Sequence, residues 1–246
     1  ADLSFFVLCC PCHVRNDELI SRERPEETRL IHTMNVSMYD AQADTISVDD
    51  ISRNSYNRII LRRLQRNDAD DYIPTLHITD YDDDDEDEED YYDYCPEEAY
   101  DMGWLGYFVG KNNHLEELVI WTSETSEHPW TSETSVRDVV EPFFRGVCNN
   151  KSIQTISFSG MDLLGGDMFT MLGSFFKNNH NLTKINVNNC DFGDEGARLF
   201  ALAIGNCTNK SLKKLDLQRN NIAEEGMVDI ITALSVHLHL QQLYLY

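Results

Sequence analysis

Few side chains in the sequence are spaced for metal or catalytic chemistry. An N-terminal cluster carries the thiols and the imidazole that zinc prefers: Cys9, Cys10, Cys12 and His13. A structural zinc site needs a second pair of ligands, and none follows at a useful spacing, so we expect no zinc there. His237 and His239 lie just before an apolar segment, as is typical of loop histidines, and we expect no metal at this pair either.

The motifs of common enzymes are absent from the sequence. It contains no G-x-S-x-G nucleophile turn, no phosphate-binding G-x-x-x-x-G-K-[ST], no dinucleotide-binding glycine pattern and no H-E-x-x-H. Gly160, Gly165 and Gly166 are spaced like loop glycines and do not form a phosphate cradle. We therefore predict a protein that is not an enzyme and that uses no cofactor.

The charge is strongly acidic and unevenly distributed. The chain has 20 basic and 43 acidic residues, for a net charge of −23, and 14 of the acids lie between Asp80 and Asp101, where no basic residue occurs. This balance argues against direct binding of nucleic acid and against docking on an anionic membrane. No apolar run approaches the roughly 20 residues that span a bilayer. A dense run of like charges cannot be buried, so we expect 80–101 to be a solvated loop, with basic proteins such as histones as its candidate partners.

An internal repeat dominates the C-terminal half. The segment from Leu182 has apolar residues at relative positions 1, 4 and 6 followed by Cys190, and the segment from Leu212 repeats this with Asn220. Similar frames begin at 73, 115, 153 and 240, with separations of 42, 38, 29, 30 and 28 residues. The alternating apolar residues predict a short strand, and the stretch after it has apolar residues at helical spacing. The sequence thus predicts repeated strand–turn–helix units.

The segments 182–204 and 212–234 resemble leucine-rich repeats, and their period resembles the long ribonuclease-inhibitor-like subtype. The subtype is shared with repeat proteins of single-celled algae and, more loosely, with Ran GTPase-activating proteins. The resemblance implies an α/β fold: a right-handed solenoid with a curved parallel β-sheet of about six strands on the concave side and helices on the convex side.

Two insertions explain the long separations. The hexapeptide WTSETS occurs at 121–126 and again at 130–135, so one copy lengthens its repeat, and we assign 121–135 to a duplicated loop. The uninterrupted acidic and tyrosine stretch 82–93 accounts in the same way for the separation of 42 residues. Both insertions are expected on the surface after a strand.

The ends of the chain do not follow the repeat. Residues 1–46 show little periodicity, and we predict an irregular or partly disordered segment there. Ser47 starts a helical pattern, and 47–66 is expected to be the N-terminal cap of a solenoid that covers 47–246. The strand motif from Leu240 is followed by no helix, so we expect the sequence to be a fragment of a longer array.

In this architecture the outward-facing strand residues usually form the binding surface. The predicted site is polar with aromatic ends: Glu117, Val119, Trp121, Thr155, Ser157, Ser159, Lys184, Asn186, Asn188, Lys214, Asp216, Gln218, Gln242, Tyr244 and Tyr246. The weak first repeat adds Thr75, His77 and Thr79.

Such a face favours a protein–protein interaction scaffold. The resemblance leaves a second hypothesis, a regulator that activates a Ran-like small GTPase, although the acidic run of those proteins follows the repeats. The third hypothesis is an acidic-loop binder of basic proteins. Seven scattered cysteines do not form a disulfide framework, and we expect a cytoplasmic protein, with the nucleus as the other location.

Overall fold

A computed structural model describes residues 36–79, 92–97, 99–122, 136–160, 167–205, 207, 209–237 and 239–245. The strands in these ranges are β1 Thr75–Thr79, β2 Tyr92–Tyr94, β3 Glu117–Trp121, β4 Thr155–Ser159, β5 Lys184–Asn188, β6 Lys214–Asp216 and β7 Gln242–Tyr244. The helices are α1 Val36–Gln42, α2 Val48–Ile51, α3 Ser55–Arg66, α4 Ala99–Lys111, α5 Val136–Val147, α6 Asp167–Asn178, α7 Gly193–Gly205 and α8 Glu224–Leu234.

All seven strands belong to one parallel sheet. Its order is β2-β1-β3-β4-β5-β6-β7, so β1 and β3–β7 follow the chain and β2 lies outside β1 at one edge. The strands from β3 onward alternate with helices, as expected for an α/β chain of strand–helix repeats. The predicted fold class is confirmed, with one more strand than the six expected.

The core lies between the sheet and the helices. In the repeat that begins at Leu182, the strand residues Ile185 and Val187 are fully buried, and so are Phe200 and Ile204 of α7. These belong to one cluster of buried apolar residues that extends through all the described repeats. Buried and partly exposed residues alternate along the strands, so the partly exposed side chains lie on the other face of the sheet.

Buried asparagines connect successive repeats just before each strand. Asn150 accepts hydrogen bonds from the N–H groups of Ser152 and Ile153, and its Nδ2 donates to the carbonyl of Val109 in the preceding repeat, at 2.7 Å. Asn112, Asn179 and Asn209 occupy the same place in their repeats. Because buried main-chain groups must find partners, these side chains fix the position where each strand begins.

The segment 47–66, which we predict to be a helical cap, contains the two helices α2 and α3. Ser47 accepts a hydrogen bond from the N–H of Asp49 at the start of α2, as its sequence position predicts. Asn54 caps α3 in the same way. Residues of α2 and α3 join the core that the first repeats bury, which is how a cap shields the end of a solenoid.

The prediction of an irregular segment over 1–46 was wrong for its last part, where α1 forms. A helix of seven residues is marginal by itself, so its stability comes from packing. The ring of Tyr39 contacts Trp104 edge-on at 4.8 Å and stacks on Tyr107 at 5.6 Å. These contacts are made with α4, which is remote in sequence, and no local pattern in α1 indicates them.

The predicted acidic loop over 80–101 was too long. Strand β2 and the start of α4 lie inside it, while 80–91 and 98 lie outside the described residues. Tyr94 of β2 is fully buried and donates from its hydroxyl to Asp101 at 3.0 Å. Tyrosine at alternate positions gives β2 an apolar inner face, which outweighs the charge of Asp93 between them.

The predicted duplicated loop over 121–135 is described only at its beginning. Trp121 is the last residue of β3, and Thr122 donates from its hydroxyl to the carbonyl of Gly160 at 2.5 Å. Residues 123–135 lie outside the described part of the chain.

Candidate binding face

The sheet presents one face that no described helix covers, and we call it the open face. Register between neighbouring strands aligns its side chains in three rows. The first row is Thr75, Glu117, Thr155, Lys184, Lys214 and Gln242. The middle row is Asp93, His77, Val119, Ser157, Asn186, Asp216 and Tyr244. The third row is Thr79, Trp121, Ser159 and Asn188.

The structure brings together most of the residues that the sequence placed at the site. All those predicted from β3, β4 and β5 lie in these rows, and so do two from β6 and two from β7. Gln218 follows the end of β6, where its N–H lies 3.3 Å from Asp216 Oδ1. Tyr246 lies outside the described residues.

The middle row begins with a carboxylate beside an imidazole. Asp93 Oδ1 lies 3.2 Å from His77 Nδ1, across the β2–β1 junction. Sequence reasoning placed Asp93 in the acidic loop and therefore missed it as part of the face. The alternation Tyr-Asp-Tyr over 92–94 was the signal that could have identified it, because both tyrosines point toward the core.

The centre of the face is polar. Asn186 donates from Nδ2 to Ser157 Oγ at 3.1 Å, across the β4–β5 junction. Its Oδ1 is inaccessible to solvent and has no hydrogen-bond partner among the described residues.

Exposed aromatic side chains lie on two strands of the face. Trp121 is 37% exposed on β3, and Tyr244 is 39% exposed on β7. The ammonium of Lys214 lies 5.1 Å from the centre of the Tyr244 ring, a cation–π distance. Exposed aromatic rings of this kind are frequent anchors at protein interfaces.

An open groove of about 820 Å³ lies beside this face, where the chain enters the strands from β4 to β7. We call it the lysine groove; it is lined by polar side chains that include Gln154, Thr183, Lys210, Lys213, His239 and Gln241. Sequence reasoning missed it. Its residues come from the turns before the strands and not from the alternating positions within the strands. The cluster Lys210-Ser-Leu-Lys-Lys is the signal in the sequence that could have identified it.

The buried thiols are poorly suited to nucleophilic chemistry. Burial raises the pKa of the Cys148 thiol to about 11, so it stays protonated at neutral pH. Burial also raises the pKa of Cys207, whose Sγ donates to the carbonyl of Phe176 at 2.5 Å. Within the described ranges, no group of three or more metal-ligating side chains occurs. No helix in that part of the chain is long and apolar enough to cross a membrane.

Comparison with known proteins supports the repeat assignment. A family model for the leucine-rich repeat matches residues 178–201 and 208–230, the segments that contain β5, β6 and most of α7 and α8. No curated protein matches the chain. Leucine-rich repeats are in general protein-interaction modules. The chain therefore carries leucine-rich repeats at these two positions, and its α/β fold, with one parallel sheet and helices between the strands from β2 onward, is in line with a leucine-rich-repeat solenoid.

Proposed function

We propose that this protein is an interaction scaffold that binds a protein partner on the open face, the predicted concave side of the solenoid. The observation that carries the proposal is the face itself: aligned polar rows across the sheet with exposed aromatic side chains on two strands. A polar surface with a few aromatic anchors is typical of non-obligate protein interfaces.

A matched pair of serine substitutions tests the open face. Ser157→Arg places a large charged side chain in the middle row, whereas Ser174→Arg makes the same change on an exposed position of α6. Tagged variants are used for affinity capture from an extract of the native cells, with quantitative mass spectrometry. We expect partners that wild type and S174R capture equally and that S157R loses. Equal capture by all three proteins would overturn the proposal.

The acidic run supports a second proposal, binding of basic proteins such as histones. The ten acids in 80–90 would attract a basic tail, and screening by salt would weaken that attraction. We expect a variant with the acids at 82–90 changed to Asn and Gln to lose binding to purified histones. Unchanged binding by this variant would reject the proposal.

Three finer assignments remain proposals. The separations of 29, 30 and 28 residues, with a helix in each repeat, support the ribonuclease-inhibitor-like subtype.

Activation of a Ran-like GTPase is tested by measuring GTP hydrolysis with the purified protein added, and absence of stimulation would reject it. A cytoplasmic or nuclear location is supported by Cys95, Cys148, Cys190 and Cys207, which are free thiols, since reducing compartments maintain such thiols.

A further inference from the structure

Two lysines occupy directly opposed positions on neighbouring strands. Lys184 of β5 and Lys214 of β6 are register partners, in a sheet whose strands lie about 4.8 Å apart. Like charges placed directly opposite each other destabilise a sheet. The same register position holds Thr155 on β4 and Gln242 on β7, so the repeat itself does not require a lysine there.

Two more lysines lie at the adjacent end of the same strands. Lys210 and Lys213 are exposed and line the lysine groove, together with His239. The groove also offers uncharged hydrogen-bonding side chains from Gln154, Asn181 and Ser211. Ammonium groups mixed with amides and hydroxyls are the donors that bind carboxylates.

None of these four lysines forms an ion pair with a carboxylate within the described residues. Lys214 contacts the Tyr244 ring, which leaves its positive charge uncancelled. The wider surroundings are close to neutral, because 151–246 contains eight basic and nine acidic residues. Nearly all of the net charge of −23 therefore lies in 1–150.

We propose that the lysine groove binds an acidic segment of a partner protein, rich in aspartate and glutamate. The groove spans the strand ends from β4 to β7, about 14 Å, which matches about four residues of extended chain. Charge complementarity with Lys210 and Lys213 of the groove provides the attraction, and Lys184 and Lys214 on the adjoining strands add positive charge beside it. The strongly acidic remainder of the protein disfavours a long polyanion such as nucleic acid, which would extend beyond the groove.

Binding of defined peptides to the full chain tests this inference. The probe is a fluorescein-labelled hexaglutamate peptide, with a hexaglutamine peptide as the neutral control, measured by fluorescence anisotropy. We expect the glutamate peptide to bind more tightly and to weaken as salt is raised. In the double variant K210Q/K213Q its affinity should fall about tenfold, on the order expected for two exposed ion pairs.

Two control variants distinguish binding in the lysine groove from nonspecific electrostatic attraction to the whole protein. Lys177→Gln removes one charge from α6, outside the groove, and should leave the affinity within about twofold of wild type. The double variant K210R/K213R keeps both charges and should retain binding. The proposal is overturned if the glutamate and glutamine peptides bind alike, if K177Q weakens binding as much as K210Q/K213Q, or if a short oligothymidylate binds more tightly than the glutamate peptide.

Self-association is a separate outcome, because the chain has its own acidic stretch over 82–93. In sedimentation experiments, we expect no oligomer that the wild-type protein forms and that K210Q/K213Q fails to form. An oligomer that this variant does remove would make a second copy the occupant and would overturn the inference. The open-face proposal is independent, since its readout is the capture difference between S157R and S174R.

Discussion

Asn179 donates a hydrogen bond from Nδ2 to the carbonyl of Ile153, 26 residues earlier, at 3.1 Å. Its Oδ1 also accepts from the N–H groups of Asn181 and Leu182, at 2.9 Å in both cases. One fully buried side chain thereby holds the start of β5 and attaches it to the preceding repeat.

Replacing Asn179 by alanine should lower the free energy of unfolding by about 3 kcal/mol, because two N–H groups and one carbonyl lose their partners in the core. Urea denaturation followed by circular dichroism measures the change. The neighbouring Asn178→Ala alters an exposed side chain and should cost less than about 0.5 kcal/mol. Equal effects from the two variants would contradict the role assigned to Asn179.

Two helical glycines should respond in opposite directions to the same substitution. A Cβ at Gly146 of α5 would overlap the main-chain carbon and oxygen of Gly106 in α4, so G146A should destabilise the protein by about 2–3 kcal/mol. A Cβ at Gly173 of α6 would meet nothing within 4 Å. G173A should therefore add about 0.8 kcal/mol through helix propensity. Thermal unfolding distinguishes them, and a stabilising G146A would show that α4 and α5 do not pack this closely.

The carboxylate of Glu97 ties the helical cap to the end of β2. Its Oε2 accepts from Ser52 Oγ at 2.5 Å and from the Arg53 N–H at 2.8 Å. Glu97→Ala should destabilise the protein by about 2 kcal/mol and should speed hydrogen exchange most in the amides of α3. Glu116→Ala, at an exposed position before β3, is the matched control and should leave exchange in α3 unchanged.

Alkaline unfolding should depend on a buried tyrosine in α1. Burial raises the pKa of Tyr39 to about 12, whereas the unfolded chain ionises near 10. The native state favours the neutral hydroxyl of Tyr39. The contribution of this side chain to the free energy of unfolding is therefore complete below pH 10 and is lost between about pH 10 and 12. At about pH 11 the loss is about 1 kcal/mol, and Tyr39→Phe should remove it. Urea titrations of Y39F at neutral and alkaline pH measure the difference, with the exposed Tyr56→Phe as control; an unchanged pH dependence in Y39F would contradict the assignment.

The strands of the repeats could be predicted because their pattern is local. Leu215 and Leu217 alternate with polar residues, and both are fully buried in the structure. The same alternation correctly placed Lys184 and Asn186 on the opposite face. Successive side chains of a strand point to opposite faces of the sheet. The apolar residues that identify the buried face therefore also identify the residues on the open face.

The features that depend on long-range packing could not be predicted in this way. Helix α1 relies on Tyr39 meeting Trp104 and Tyr107, and β2 relies on Tyr94 reaching Asp101 under a run of acids. The lysine groove combines turns from separate repeats. In each case the stabilising or binding partners are distant in sequence, and one sequence by itself gives no sign of their proximity.

The lysines of β5 and β6 lie several strands away from β1 and β2, between which the chain runs through its most acidic stretch. An uneven distribution of charge of this kind gives a protein an electric dipole moment. A charged protein diffusing toward it experiences a torque as well as an attraction, so the two meet already aligned. Orientation before contact would raise the rate of association while leaving the lifetime of the complex to the short-range contacts of the bound state.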